Sequence, residues 1–137
     1  MTMKGMLLVG HGSKLPPYNK ELIETTAKLI AEKTNDYIVK PGFMSLNTPP
    51  TVEEQLEAFR SEKIEMLVVV PLFLAKGVHI NQDIPEILGL PKGERRGTFQ
   101  LNGKAVPLVY ANPIGSDPLL AELMLKNASD AIAELKS

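Results

Sequence analysis

The sequence predicts an α/β domain, a three-layer arrangement in which a mostly parallel four-stranded sheet is flanked by helices. Three observations carry this. The apolar runs from Met6 to Gly10 and from Met66 to Leu74 do not alternate with polar residues, as in strands covered on both faces. Stretches of helical periodicity fall between the strand candidates, so the strands must be joined by crossovers. A chain of 137 residues holds one core but not two, so residues 1–137 are read as a single domain.

The elements follow in order. Met6 to Gly10 is a first strand ended by glycine. After Pro16 and Pro17, the segment from Asn19 to Lys33 sets Leu22, Ile23, Ala27 and Ile30 along one helical face. Tyr37 to Met44 is a weaker strand, expected at a sheet edge because Pro41 cannot donate to a ladder. Thr51 and Glu54 form a capping-box pattern that opens a helix burying Val52, Leu56 and Phe59. Met66 to Leu74 is the next strand, and Asn81 to Leu88, stopped by Gly89, a short helix. The charged, glycine-bearing stretch from about 91 to 104 reads as an exposed excursion, with Asn102-Gly103 suited to a hairpin turn. Ala105 to Ala111 is a fourth strand. The last helix is capped by Asp117, has Pro118 at its first position, and aligns Leu120, Leu123, Met124, Ala128, Ala131 and Leu135 in an apolar stripe.

Composition excludes several functions. A formal net charge of −1 provides no global field to attract nucleic acid or an anionic membrane. Cysteine is absent, which removes disulfides, thiolate metal sites and cysteine nucleophiles. The longest apolar run, Met66 to Ala75, is roughly half of what a membrane span needs and is broken by Pro71. No export signal is read at the start, so a cytoplasmic location is expected.

His11 and His79 are the only two histidines. Ligands of open α/β sheets bind beyond the carboxyl ends of the strands. His11 directly follows the first strand and His79 closely follows the third, so both belong at that edge. A lone loop histidine is more often a surface group, but two at one edge with none elsewhere point to a pair. Two imidazoles fall short of the four ligands of a structural zinc site, yet can hold a divalent ion loosely with open positions. Gly10 and Gly12 either admit a ligand to the backbone or simply form a tight strand-to-helix turn. "GHGS" lacks the spacing and the lysine of a phosphate loop. Lys14 and Lys76 lie in the two histidine loops, as solvated residues or as partners for carboxylates. Leu72, Phe73 and Leu74 end a strand, where apolar residues belong to the core or line a pocket mouth.

Three stretches, "LLVGHGSKLPPYNKEL", "VVVPLFLAKGVHINQDIPEILGL" and "NPIGSDPLL", resemble the small archaeal sirohydrochlorin chelatases, class II tetrapyrrole chelatases that insert cobalt or nickel. The resemblance spans nearly the whole chain. It implies a chelatase-like fold, a homodimer of single-domain subunits, and His11 and His79 as ligands of the incoming metal, with His11 also the proton acceptor. It places Leu46, Leu72, Phe73, Leu74, Ala75, Lys76 and Gly77 against the macrocycle. The partners implied are sirohydrochlorin and Co2+ or Ni2+, with no cofactor beyond that substrate metal. Cobalt would serve cobalamin synthesis, and nickel the tetrapyrrole coenzyme of methanogenesis. The chain departs from many relatives at "FMSLNTPPT", where Ser45 and Thr48 stand in place of acidic residues.

Two other functions compete. A non-catalytic metal or tetrapyrrole carrier would use the same residues without turnover. A histidine phosphatase also has its histidine after a first strand, but its motif needs an arginine where this chain has Gly10, and no arginine precedes Arg60.

Overall fold

A computed structural model of the protein describes residues 3–12 and 18–135. Five strands form one sheet in the order β2-β1-β3-β5-β4. They are β1 (Met3–Gly10), β2 (Tyr37–Phe43), β3 (Ile64–Pro71), β4 (Arg96–Gln100) and β5 (Ala105–Tyr110). The helices are α1 (Tyr18–Lys33), α2 (Val52–Phe59), α3 (Ile84–Ile87) and α4 (Pro118–Glu134), with one π-helical turn, His79–Asp83, leading into α3. β2, β1, β3 and β5 run parallel, and β4 is antiparallel to β5. Lys14, Pro16 and Pro17 lie outside the described residues, as does the Asn19 side chain.

The sheet has one strand more than expected. The addition comes from the excursion, whose second half folds back as β4 through the Asn102-Gly103 turn. Phe99 and Leu101 turn inward from an otherwise exposed ribbon, and this short alternation is hidden in the sequence by the surrounding charges. β2 is an edge strand, as Pro41 requires.

The capping box at α2 forms in full: Glu54 N–H donates to the Thr51 side chain, and Thr51 N–H donates to the Glu54 carboxylate at 2.9 Å. Val52, Leu56 and Phe59 are buried as expected. They join Leu7, Leu67, Val69, Ile84 and Leu108 in the main core between the sheet and the helices α2 and α3. A smaller cluster, Leu8, Ile23, Ala27 and Phe43, fills the opposite face under α1. Leu22 does not share the buried face predicted for it and is exposed. At α4 the Asp117 side chain accepts from Leu119 N–H at 2.9 Å with Pro118 behind it, as the sequence predicts. None of the residues of α4 is buried.

Candidate functional site

Strand order fixes where a ligand can sit. β1 has β2 on one side and β3 on the other, so the chain reverses its direction of travel across the sheet between β1 and β3. Such a switch point opens a crevice at the carboxyl edge, where the loops on its two sides leave in opposite directions. His11 follows β1 and His79 follows β3, one on each side of the crevice.

The His11 loop is held by its neighbours. Met44 N–H donates to Gly10 O at 2.9 Å, Ser45 N–H to His11 O at 3.0 Å, and Leu72 N–H to Val9 O at 2.8 Å. The buried Thr48 hydroxyl donates to Gly12 O. Thr48, at one of the two positions the sequence analysis singled out, therefore anchors the loop. Packing accounts for both glycines of "GHGS". A Cβ on Gly10 would lie 2.3 Å from Ile23 Cγ1, and Gly12 combines φ of 74° with a Cβ position 2.6 Å from Phe43 Cβ.

His79 opens the π-helical turn, in which Ile84 N–H bonds back five residues to His79 O. Pro85 explains the irregularity: it has no N–H for the carbonyl of Asn81, and its ring crowds that carbonyl in a regular helix. Single π turns recur at functional sites. Here the turn is pinned by Asn81 N–H to Gly77 O at 2.9 Å and by the Tyr110 hydroxyl to Ile80 O at 2.9 Å. Burial pushes the Tyr110 hydroxyl up to about 12, opposed in part by the nearby Arg95 charge.

The turn also brings Asp83 onto His79, with Nδ1 and Oδ2 2.8 Å apart. A carboxylate only accepts, so Nδ1–H donates and the neutral ring keeps its Nε2 lone pair for another task. The His11 and His79 ring centroids lie 5.2 Å apart at an interplanar angle of 70°. Two imidazoles sharing one ion at ordinary bond lengths would have centroids about 4.5 to 5.3 Å apart for angles from square to tetrahedral, so the observed separation lies within the range of joint ligation. Phe73 leans on His79 at 6.1 Å between centroids.

Leu46, Leu74 and Val78 are exposed apolar residues of the loops that carry or flank the two histidines. Ala75, Lys76 and Gly77 are exposed beside them, whereas Leu72 packs against the cluster under α1. A cleft of about 200 Å3 bounded by Lys76, Ile80, Asn81, Arg95, Tyr110 and Asn112 adjoins the loop. A cavity of about 540 Å3 lies between Arg60–Glu65 and Leu101–Lys104 at the amino end of β3, remote from the histidines. Sequence reasoning missed Val78, Asp83 and Tyr110. Only Asp83 carried a signal, its four-residue spacing from His79 on a helical segment.

Comparisons with known proteins agree with this architecture. The CbiX family model matches residues 5–131. A sirohydrochlorin cobaltochelatase of Methanosarcina barkeri is 48% identical over 96% of this chain and 100% of its own. One of Methanopyrus kandleri is 36% identical over 96% and 99%. The crystal structure of a cobalamin biosynthesis CbiX protein from Marinobacter aquaeolei superposes with a TM-score of 0.69 at 21% identity, covering 98% of each chain. A multi-domain protein from Deinococcus radiodurans with structural similarity to chelatases does so at 0.67 and 22%, covering 95% of this chain and 29% of that one. By its fold and by full-length sequence identity, the chain is a member of the CbiX family.

Proposed function

We propose that this protein inserts cobalt into sirohydrochlorin as one chelatase domain spanning residues 1–137, with His11 and His79 receiving the ion. The observation that carries the proposal is the pair of imidazoles 5.2 Å apart at the switch point, bordered by exposed leucines. The relatives named as sirohydrochlorin cobaltochelatases support the substrate and the metal.

In this mechanism the macrocycle lies on Leu46, Phe73, Leu74 and Val78, and its carboxylates meet Lys76. Backbone and side chains of residues 72–77 position its edge. Asp83 keeps the His79 Nε2 lone pair directed outward, and His11 supplies the second nitrogen. Two nitrogen ligands leave the remaining coordination positions to water, so pyrrole nitrogens replace water first and imidazoles last. Two N–H bonds break as the ion gains its four macrocycle nitrogens, and His11 takes up a proton only as its nitrogen leaves the ion, passing it to solvent. Imidazole is a competent proton acceptor at neutral pH.

Nickel fits the same nitrogen donors, and the metal preference follows from which ion a chelation assay accepts. The protein works as a cytoplasmic homodimer without nucleic acid or membrane. Spectrophotometric insertion of Co2+ and Ni2+ into sirohydrochlorin tests the reading. Continued turnover is expected from the wild type, with His11→Ala and His79→Ala reduced toward the uncatalysed rate. Variants as fast as wild type would overturn the assignment, and a reaction that stops after one equivalent would make the protein a carrier.

A further inference from the structure

We infer that the Tyr110 hydroxyl sets the hydrogen-bond register of the turn that carries His79, which makes Tyr110 a positioning residue for metal insertion. The inference rests on the reading of His79 as a metal ligand given above.

One carbonyl distinguishes two registers. In the π-helical turn, Ile84 N–H donates to His79 O, five residues back. The next bond of that register would run from residue 85 to Ile80 O, and residue 85 is a proline without an N–H. The π register therefore leaves Ile80 O without a backbone donor. In a regular α register Ile84 N–H would serve Ile80 O, four residues back, and no outside donor would be needed. Tyr110 supplies the missing donor, its hydroxyl reaching Ile80 O at 2.9 Å. Ile80 and Tyr110 are 5 and 4% exposed, so water does not take its place. An orphaned carbonyl at this site would weaken the π register by about tenfold.

The donor is mounted independently of the turn. Tyr110 ends β5, and its N–H donates to Arg95 O at 2.8 Å. Its own carbonyl accepts from Arg95 Nε and Nη2 at 3.1 and 2.8 Å, and Arg95 Nη1 donates to the Asn112 side chain. The charged excursion thus fixes the strand end from which the hydroxyl crosses to the His79 turn.

Ile84 and Pro85 are buried and hold the far end of the turn. Moving the Ile84 bond from His79 O to Ile80 O would advance His79 by one residue and turn it by about 100° away from His11. Burial of Ile80 in the main core opposes that shift, so loss of the hydroxyl gives a mixture of registers rather than full conversion.

Tyr110→Phe removes the hydroxyl and keeps the ring. Nuclear magnetic resonance scalar coupling across the hydrogen bond, from the Ile84 amide nitrogen to a carbonyl carbon, reads the register directly. Wild type should couple to His79, and in Tyr110→Phe that coupling should weaken while one to Ile80 emerges. Co2+ affinity by isothermal titration should fall with the remaining π population, about two- to tenfold, with KM for sirohydrochlorin unchanged. Val106→Ala, a buried substitution at the amino end of β5, controls for lost stability and should keep the wild-type coupling and affinity. A wild type already coupled to Ile80, or a Tyr110→Phe protein still fully coupled to His79, would overturn the register assignment. A changed register with unchanged Co2+ affinity would overturn the positioning role. Should His79→Ala also bind Co2+ as wild type does, the ligand reading itself fails and the positioning role with it.

Discussion

Removing Asp83 tests whether His79 is a prepared ligand or an incidental loop residue. The contact is 2.8 Å, and the two side chains are 43 and 37% exposed, so solvent screens it and its direct contribution to folding is small. Its value lies in fixing the tautomer and the ring direction. Carboxylates that orient ligating histidines typically contribute 10- to 100-fold to metal affinity or activity, and exposure puts this one near the lower end, about 1.4 kcal/mol. Asp83→Ala should therefore weaken Co2+ binding about tenfold by isothermal titration and slow insertion by a similar factor, with the melting temperature nearly unchanged. Asp83→Asn, whose amide oxygen still accepts from Nδ1–H, should fall between that variant and wild type. In a His79→Ala background the loss of Asp83 should have no further effect. Full Co2+ affinity and full rate in Asp83→Ala would refute the argument that this carboxylate prepares His79.

Three other outcomes are expected. Gly10→Ala should lower stability by about 1 to 3 kcal/mol in urea unfolding, because its methyl would sit 2.3 Å from Ile23 Cγ1 in a packed contact. The Tyr110 hydroxyl stays neutral in the fold up to about 12 but ionises near 10 when unfolded. Stability from this group is thus complete below pH 10 and is lost as pH rises toward 12, by up to about 3 kcal/mol, and the difference between wild type and Tyr110→Phe across that range isolates it. Leu46→Asp and Leu74→Asp should raise KM for sirohydrochlorin with Co2+ affinity unchanged, and a shift in metal affinity alone would count against a macrocycle surface there.

How much of this was legible depends on whether the determining physics is local. Unbroken apolar runs and a capping box report their own surroundings, so β1, β3 and α2 could be read almost residue by residue. The pairing of His11 with His79 was legible through strand order, since both follow parallel strands. The π-helical turn was not, because it depends on how Pro85 meets a turn already fastened by Tyr110 from a strand distant in sequence. Thr48 was noticed only as the absence of an acid, while its bond to Gly12 O requires β2 and the His11 loop to be adjacent. The stripe on α4 was visible, but periodicity says that a face is apolar and not which molecule covers it.

The π-helical turn also bears on how this loop tolerates insertion and deletion. It contains one residue more than an α-helical turn needs, and its far end is anchored by the buried Ile84 and Pro85. Each residue of a helix turns the chain by about 100°. Deleting a residue between His79 and Ile84 would let the segment relax into a regular helix and swing the imidazole by about that angle, away from His11 and Asp83, with the core undisturbed. The surplus residue therefore works as a phase setting: the length of this short segment decides the side from which the His79 imidazole leaves the backbone, before Asp83 fixes its ring.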